Sequence, residues 1–242
     1  MRRSSPQCSF VAREQQKLIQ ALRHLDRAAI VRVLETFVTD ERAARLRSVF
    51  SQRLEAVTLL MDAPHDPHNG AAVVRSCDAF GVQRLHVVER LEGFLASNTV
   101  ARGSERWVDV RTYPTTTEAI AALQATGHEL VATHPEGELV PEDLPGIPRL
   151  CLVLGNERDG IHEQLRAACK RGVRVPMRGF AESLNVSVTA AILLQHATCG
   201  RPGDMPADEQ LLLHARALIL TIPRAPEILV HQGVAIDGLA LS

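Results

Sequence analysis

The chain has 242 residues, 45 % of them hydrophobic and 23 % charged, with a formal net charge of −1. That is enough apolar material for a substantial core, and the overall balance lacks the positive excess that marks many nucleic-acid binders. No run of about eighteen unbroken apolar residues occurs, which argues against a membrane span, and residues 1 to 20 carry early arginines without an apolar stretch, so no signal peptide and a cytoplasmic protein are expected.

Charge is unevenly spread along the chain. Residues 1 to 55 hold eleven Lys and Arg against six Asp and Glu, a balance of +5, which leaves −6 for the remainder. A basic arm on an acidic body fits a polyanionic partner, and so does the plainer alternative of an amphipathic helical pair with a solvated face. Residues 11 to 35 carry Leu18, Leu22, Leu25, Ile30 and Leu34 at helical spacing, and a second helix is predicted over 40 to 54, capped by Thr39 or Asp40. From Val57 the texture changes. "VTLLM", "RLHVVE", "WVDVRTY", "ELVATH", "RLCLVLG" and "VRVPM" read as strands, separated by helical stretches over 69–81, 115–127 and 161–171. Thr115 and Glu118 form a capping-box pattern, and Gly81 and Gly127 read as helix stops. Strands alternating with helices predict an α/β fold with a mostly parallel sheet and helices on both faces. A further helix is predicted near 208 to 220, and the end from Pro223 is weakly specified. The expected divisions are 1–55, 56–200 and 201–242.

The five cysteines, Cys8, Cys77, Cys151, Cys169 and Cys199, are odd in number and never spaced as C-x-x-C, and the ten histidines show no ligand spacing. Reduced thiols and no metal are expected. The glycine patterns of dinucleotide-binding and P-loop folds are absent, as is the G-x-S-x-G elbow. Three segments at predicted strand ends remain. "DPHNGAAVVR" (66–75) places Asn69 where a helix cap belongs, with Arg75 either functional or paired to Asp78. "LVLGNERDGI" (152–161) brackets a polar loop between Gly155 and Gly160, which is either an ordinary turn or a close backbone approach to a ligand. "AESLNVSVTAAILL" (181–194) opens an apolar helix with Ser183, Asn185 and Ser187, serving as caps or as a site.

In order, Asn69…Arg75, Gly155-Asn-Glu157-x-x-Gly160 and Val-Pro-Met…Ser183-Leu-Asn185-Val-Ser resemble the three motifs of the SpoU/TrmH RNA 2′-O-methyltransferases of the SPOUT class, over roughly residues 57 to 199. "GSERW" (103–107), "ATH" (132–134) and the helical N-terminal piece look like the tRNA-modifying branch. The resemblance implies a C-terminal deep trefoil knot, an N-terminal helical RNA-binding extension over 1–55, a homodimer with the site at the subunit contact, and S-adenosyl-L-methionine as cofactor. It implies methylation of a guanosine ribose 2′-hydroxyl in tRNA, guanosine 18 of the D-loop, with ribosomal RNA or a catalytically silent RNA-binding homologue as alternatives. Arg75 takes the catalytic role, its proton transfer assisted by an RNA phosphate. Asn69 holds Arg75 or the ribose, while Glu157, Ser183 and Asn185 order the guanosine side. Thr133, Leu154, Gly155, Val175, Met177 and Leu184 cradle the adenosine. Gly70 departs from the bulkier residue usual after Asn69, and the segment beyond about residue 200 matches less well.

Overall fold

The computed structural model describes residues 16–89, 103–156 and 158–236. Three helices come first: α1 over residues 16–23, α2 (Arg27–Leu34) and α3 (Asp40–Ser51). The alternating region follows with β1 (Val57–Asp62), α4 (Pro67–Ala79), β2 (Arg84–Val88), β3 (Asp109–Tyr113), α5 (Thr116–Ala125) and β4 (Glu129–Thr133). It continues through β5 (Leu150–Leu154), α6 (Glu163–Ala168), β6 (Arg171–Val173) and α7 (Val186–Thr198), and the chain closes with α8 (Ala207–Thr221) and α9 (Ala225–His231). No helix among the described residues is long and apolar enough to cross a membrane.

The chain divides into two compact units, of which Leu54–Pro202 contains the sheet. All strand pairings are parallel, in the order β3-β2-β1-β5-β4-β6. Successive side chains of a strand point to opposite faces, and here each face finds its own helices. Leu59, Met61, Leu152 and Leu154 pack with Val73, Val74 and Cys77 of α4 and with Ala190, Leu193 and Leu194 of α7. Leu60, Cys151 and Val153 pack instead with Ala119 and Leu123 of α5 and Leu165 of α6. A sheet covered on both faces needs strands apolar at nearly every position: "LCLVL" is an unbroken apolar run, and in "VTLLM" the one exception, buried Thr58, donates its hydroxyl hydrogen to Arg84 O at 2.7 Å. The order reverses between β1 and β5, and open α/β sheets bind ligands at the carboxyl ends of strands near such a reversal.

Arg201 follows α7 and ties it to the connection before β5. Its guanidinium donates to the carbonyls of Ala197 (2.8 Å), Pro145 (3.1 Å), Ile147 (2.5 Å) and Pro148 (3.1 Å). On β2, His86 is buried, with Nδ1 2.9 Å from the Tyr113 hydroxyl and the two rings stacked at 5.7 Å. Burial, and next the charge of Arg111, push the imidazole down to about 3. The folded chain therefore holds His86 neutral while the unfolded chain protonates it near 6.5. Stability contributed by this group is complete above about pH 6.5 and falls as the pH drops toward 3, with a limiting slope of about 1.4 kcal/mol per pH unit. Urea unfolding at pH 7 and pH 5 should show that loss, and His86→Asn should reduce it. An unchanged pH dependence in the variant would take His86 out of the account.

The second unit consists of Val11–Arg53 and Gly203–Ser242, so the first and last parts of the chain, read from sequence as separate appendages, pack together. Leu22, Ile30, Leu34 and Phe50 are buried with Leu212, Leu213 and Leu218 of α8. Arg23 pairs with Glu209 at 2.6 Å, and Arg47 with Glu35. The single helix predicted over 11 to 35 is broken. Asp26 accepts from the Ala29 N–H at 2.9 Å and starts α2 afresh, because a carboxylate that caps a new helix satisfies donors that continuing the old one would not need satisfied. Residues 11 to 15 and the tail from 237 lie outside the described residues.

Candidate functional site

A cavity of about 690 Å³ opens at the carboxyl ends of β4, β5 and β6. Its first wall is the loop after β5, which is tightly closed. Asn156 and Gly160 exchange both backbone hydrogen bonds, at 3.0 and 3.3 Å, and the Asn156 Oδ1 accepts from the backbone N–H groups of Arg158 (2.9 Å) and Asp159 (2.7 Å). A Cβ at Gly155 would lie 2.4 Å from the Gly160 carbonyl carbon and 2.7 Å from the Ile161 nitrogen. Only glycine fits there. The loop's exit is tied to β1, since the Asp62 carboxylate accepts from the His162 N–H at 2.6 Å.

The second wall is the stretch between β6 and α7. The strand predicted as "VRVPM" starts earlier and stops at Val173. Beyond it the Arg174 N–H bonds to Leu139 O at 3.0 Å, and Pro176 has no N–H to continue a ladder. Val175 and Met177 then line the cavity, followed by Ser183, Leu184 and Asn185. Asn185 caps α7, its Oδ1 accepting from the Ser187 N–H (2.8 Å) and hydroxyl (2.6 Å). Its Nδ2 donates to the Asn69 Oδ1 at 3.0 Å. With both ends of the amide engaged, the side chain has one orientation. Leu184, expected inside the apolar helix, precedes it.

Asn69 is not the cap of α4. Asp66 is, accepting from the His68 N–H at 2.8 Å, because Pro67 suits the first helical position and shifts the cap to the residue before it. That leaves the Asn69 amide, buried in the first turn, to meet Asn185 across 116 positions of sequence.

Of the residues singled out from sequence, Thr133, Gly155, Val175, Met177, Ser183, Leu184 and Asn185 line the cavity, and Asn69 joins it through Asn185. Thr133 donates its hydroxyl hydrogen to Val153 O at 2.9 Å, so the oxygen offers lone pairs. Leu154 does not line the cavity; its side chain is fully buried behind Gly155 in the sheet core. Arg75 is exposed on α4, outside the lining, and does not pair with Asp78 among the described residues. Glu157 lies outside the described residues. Sequence reasoning passed over His134, Asp159, Arg166 and Glu182, which also line the cavity. On a sequence they read as solvated charges of loops and a short helix, and only the folding of four distant stretches onto one cavity sets them apart.

A profile of the SpoU rRNA Methylase family matches residues 56–195. The chain is 33 % identical over 157 residues to the tRNA (guanosine(18)-2′-O)-methyltransferase of Escherichia coli (strain K12), a match spanning 64 % of this chain and 69 % of that protein. Its structure is similar to that of the A. aeolicus TrmH/SpoU tRNA modifying enzyme, with a TM-score of 0.66 and 28 % identity over 76 % of this chain and 98 % of that one. It is also similar to the SpoU methyltransferase AviRb from Streptomyces viridochromogenes in complex with AdoMet, with a TM-score of 0.54 and 26 % identity over 61 % and 60 % of the two chains.

Proposed function

The chain belongs to the SpoU methylase family, and from that premise we propose that it methylates a guanosine ribose 2′-hydroxyl in tRNA, guanosine 18 of the D-loop, using S-adenosylmethionine. The observation that carries this reading is the meeting, at one cavity, of the closed Gly155–Gly160 loop with the stretch that ends in the Asn185–Asn69 pair. The cavity volume of about 690 Å³ falls within the roughly 300–1,000 Å³ usual for small-molecule sites. Gly155, with no Cβ, lets the loop close on itself through Gly160 and so shapes this wall of the cavity.

S-adenosylmethionine supplies an electrophilic methyl group on a sulfonium. The chain's own work is to position the accepting oxygen, assist loss of its proton and exclude water. Val175, Met177 and Leu184, with the Thr133 hydroxyl and the Gly155 backbone, hold the adenosine. Ser183 and Asn185 order the guanosine, and Asn69 fixes Asn185. Glu157 is assigned to the guanosine side on family likeness. Arg75 acts on charge: a guanidinium does not give up its proton in a protein and so makes a poor base, but it can hold a phosphate that takes the proton and can stabilise the developing alkoxide.

The same proposal includes a deep trefoil knot and a homodimer. Supporting the knot is the long irregular return of residues 174–185 past the 155–161 loop before α7 begins. Supporting the dimer is a strip of exposed apolar side chains on and before α7, namely Met177, Phe180, Leu184 and Val188. A second copy covering this strip would let Arg75 of one copy serve the cavity of the other, which accounts for its position off its own chain's cavity. The helical unit adds tRNA contacts, for which Arg32, Arg42 and Arg45 are exposed and unpaired among the described residues. Replacing all three with Gln should flatten the salt dependence of tRNA binding by roughly 0.7 to 0.9 in log–log slope per lost phosphate contact. Equal slopes would place the RNA elsewhere.

The function itself is tested by incubating tRNA and ribosomal RNA transcripts with the protein and labelled cofactor, then mapping 2′-O-methylguanosine by mass. Label at guanosine 18 of tRNA is the expected result. Label confined to ribosomal RNA would change the target, and binding of RNA without label in either would make the chain a silent homologue.

A further inference from the structure

The lining of the cavity is chemically divided. Val173, Val175, Met177, Leu184 and Val186 are apolar, whereas Asp159, Arg166 and Glu182 bring acidic and basic side chains. Arg166 is the one guanidinium among the described lining residues. Leu165 beside it is fully buried and anchors α6, which leaves Arg166 exposed at the cavity. Glu163, three positions earlier on the same helix, is placed for an ion pair, yet no ion pair or hydrogen bond engages the Arg166 side chain among the described residues. His134, also at the rim, has its Nδ1 occupied by the Glu136 N–H at 3.1 Å.

S-adenosylmethionine is itself divided in the same way. Its adenosine is uncharged, and its other end is an amino acid carrying an α-carboxylate and an α-ammonium. The uncharged wall suits the first end. The second needs a cation for its carboxylate, and a planar guanidinium matches a carboxylate through two parallel hydrogen bonds. We propose that Arg166 binds the α-carboxylate of the cofactor's methionine end, with Asp159, in the loop leading into the same helix, taking the α-ammonium. This assignment rests on the reading of the cavity given above.

The experiment compares two ligands by titration calorimetry: S-adenosylhomocysteine, which has the amino-acid end, and 5′-methylthioadenosine, which keeps the adenosine and thioether but lacks it. Arg166→Gln should weaken S-adenosylhomocysteine roughly tenfold to a hundredfold and leave 5′-methylthioadenosine within about twofold. Arg166→Lys should fall between, keeping the charge but losing the fork. Because Arg166 is exposed, thermal unfolding of both variants should match the parent. Equal weakening of the two ligands would make Arg166 a structural residue and overturn the assignment. So would unchanged affinities, or a loss confined to tRNA binding. Failure of the unaltered protein to bind either nucleoside would instead bring down the reading of the cavity, and this assignment with it.

Discussion

Arg75→Ala is expected to lower methyl transfer by about a hundredfold to a thousandfold, the cost of removing one donor aimed at developing negative charge, while S-adenosylhomocysteine affinity stays within about twofold. The side chain is exposed, lies outside the cavity lining and is unpaired among the described residues. Its loss therefore leaves no buried partner stranded and should barely affect stability. Asp78→Ala should leave turnover largely intact. Where Arg75 acts can be settled by mixing. Arg75→Ala and Asn185→Ala proteins should each be nearly inactive, and mixed dimers should recover one working site if Arg75 serves the partner's cavity. No recovery on mixing would mean that Arg75 and Asn185 act within one chain, and full turnover by Arg75→Ala alone would remove it from the mechanism.

Gly155→Ala should abolish measurable binding of S-adenosylhomocysteine, whereas Gly160→Ala should only weaken the protein. The two glycines bracket one loop but are required for different reasons. At Gly155 the new methyl would meet backbone at 2.4, 2.7 and 2.8 Å, so the Asn156–Gly160 closure, with its two hydrogen bonds, has to open. At Gly160 nothing lies within 4 Å, but φ is +69°. An L-residue pays about 1–2 kcal/mol there, a cost the fold can absorb. Calorimetry alongside thermal unfolding separates the cases. Tight binding by a folded Gly155→Ala protein would show that this loop is not the cradle.

Much of the sheet was legible because its physics is local. Central parallel strands must be largely apolar, and "LCLVL" and, Thr58 apart, "VTLLM" are; Thr115 does accept from the Glu118 N–H, at 3.3 Å, to start α5. The break at Asp26 was hidden because apolar spacing continues across it, and only the capping carboxylate betrays a new start. The extent of β6 depends on which neighbour takes each N–H, and periodicity carries no such information. At the site, the residue types were readable and the pairings were not. Asn69 resembled a cap because amides often are caps, yet its partner is Asn185, 116 positions away. Arg166 lies outside every motif and Asp159 only at an open position of one; their role depends on which wall they share.

The walls of the cavity, Arg166 of α6 apart, come from four stretches, 132–135, 155–156 with 159–161, 173–177 and 182–189, and the bond that aligns Asn185 reaches back to Asn69. Every strand pairing that supports them joins parallel segments through a crossover, so the chain must close many large loops before its contacts begin to favour the native state. A nascent chain that has emerged only to β5 already has its central strands but no binding site. The site becomes complete only when α7 docks. Where that docking follows the transition state, a ligand that needs all four stretches should slow unfolding while leaving the folding rate unchanged, and a faster folding rate with ligand would put the docking earlier.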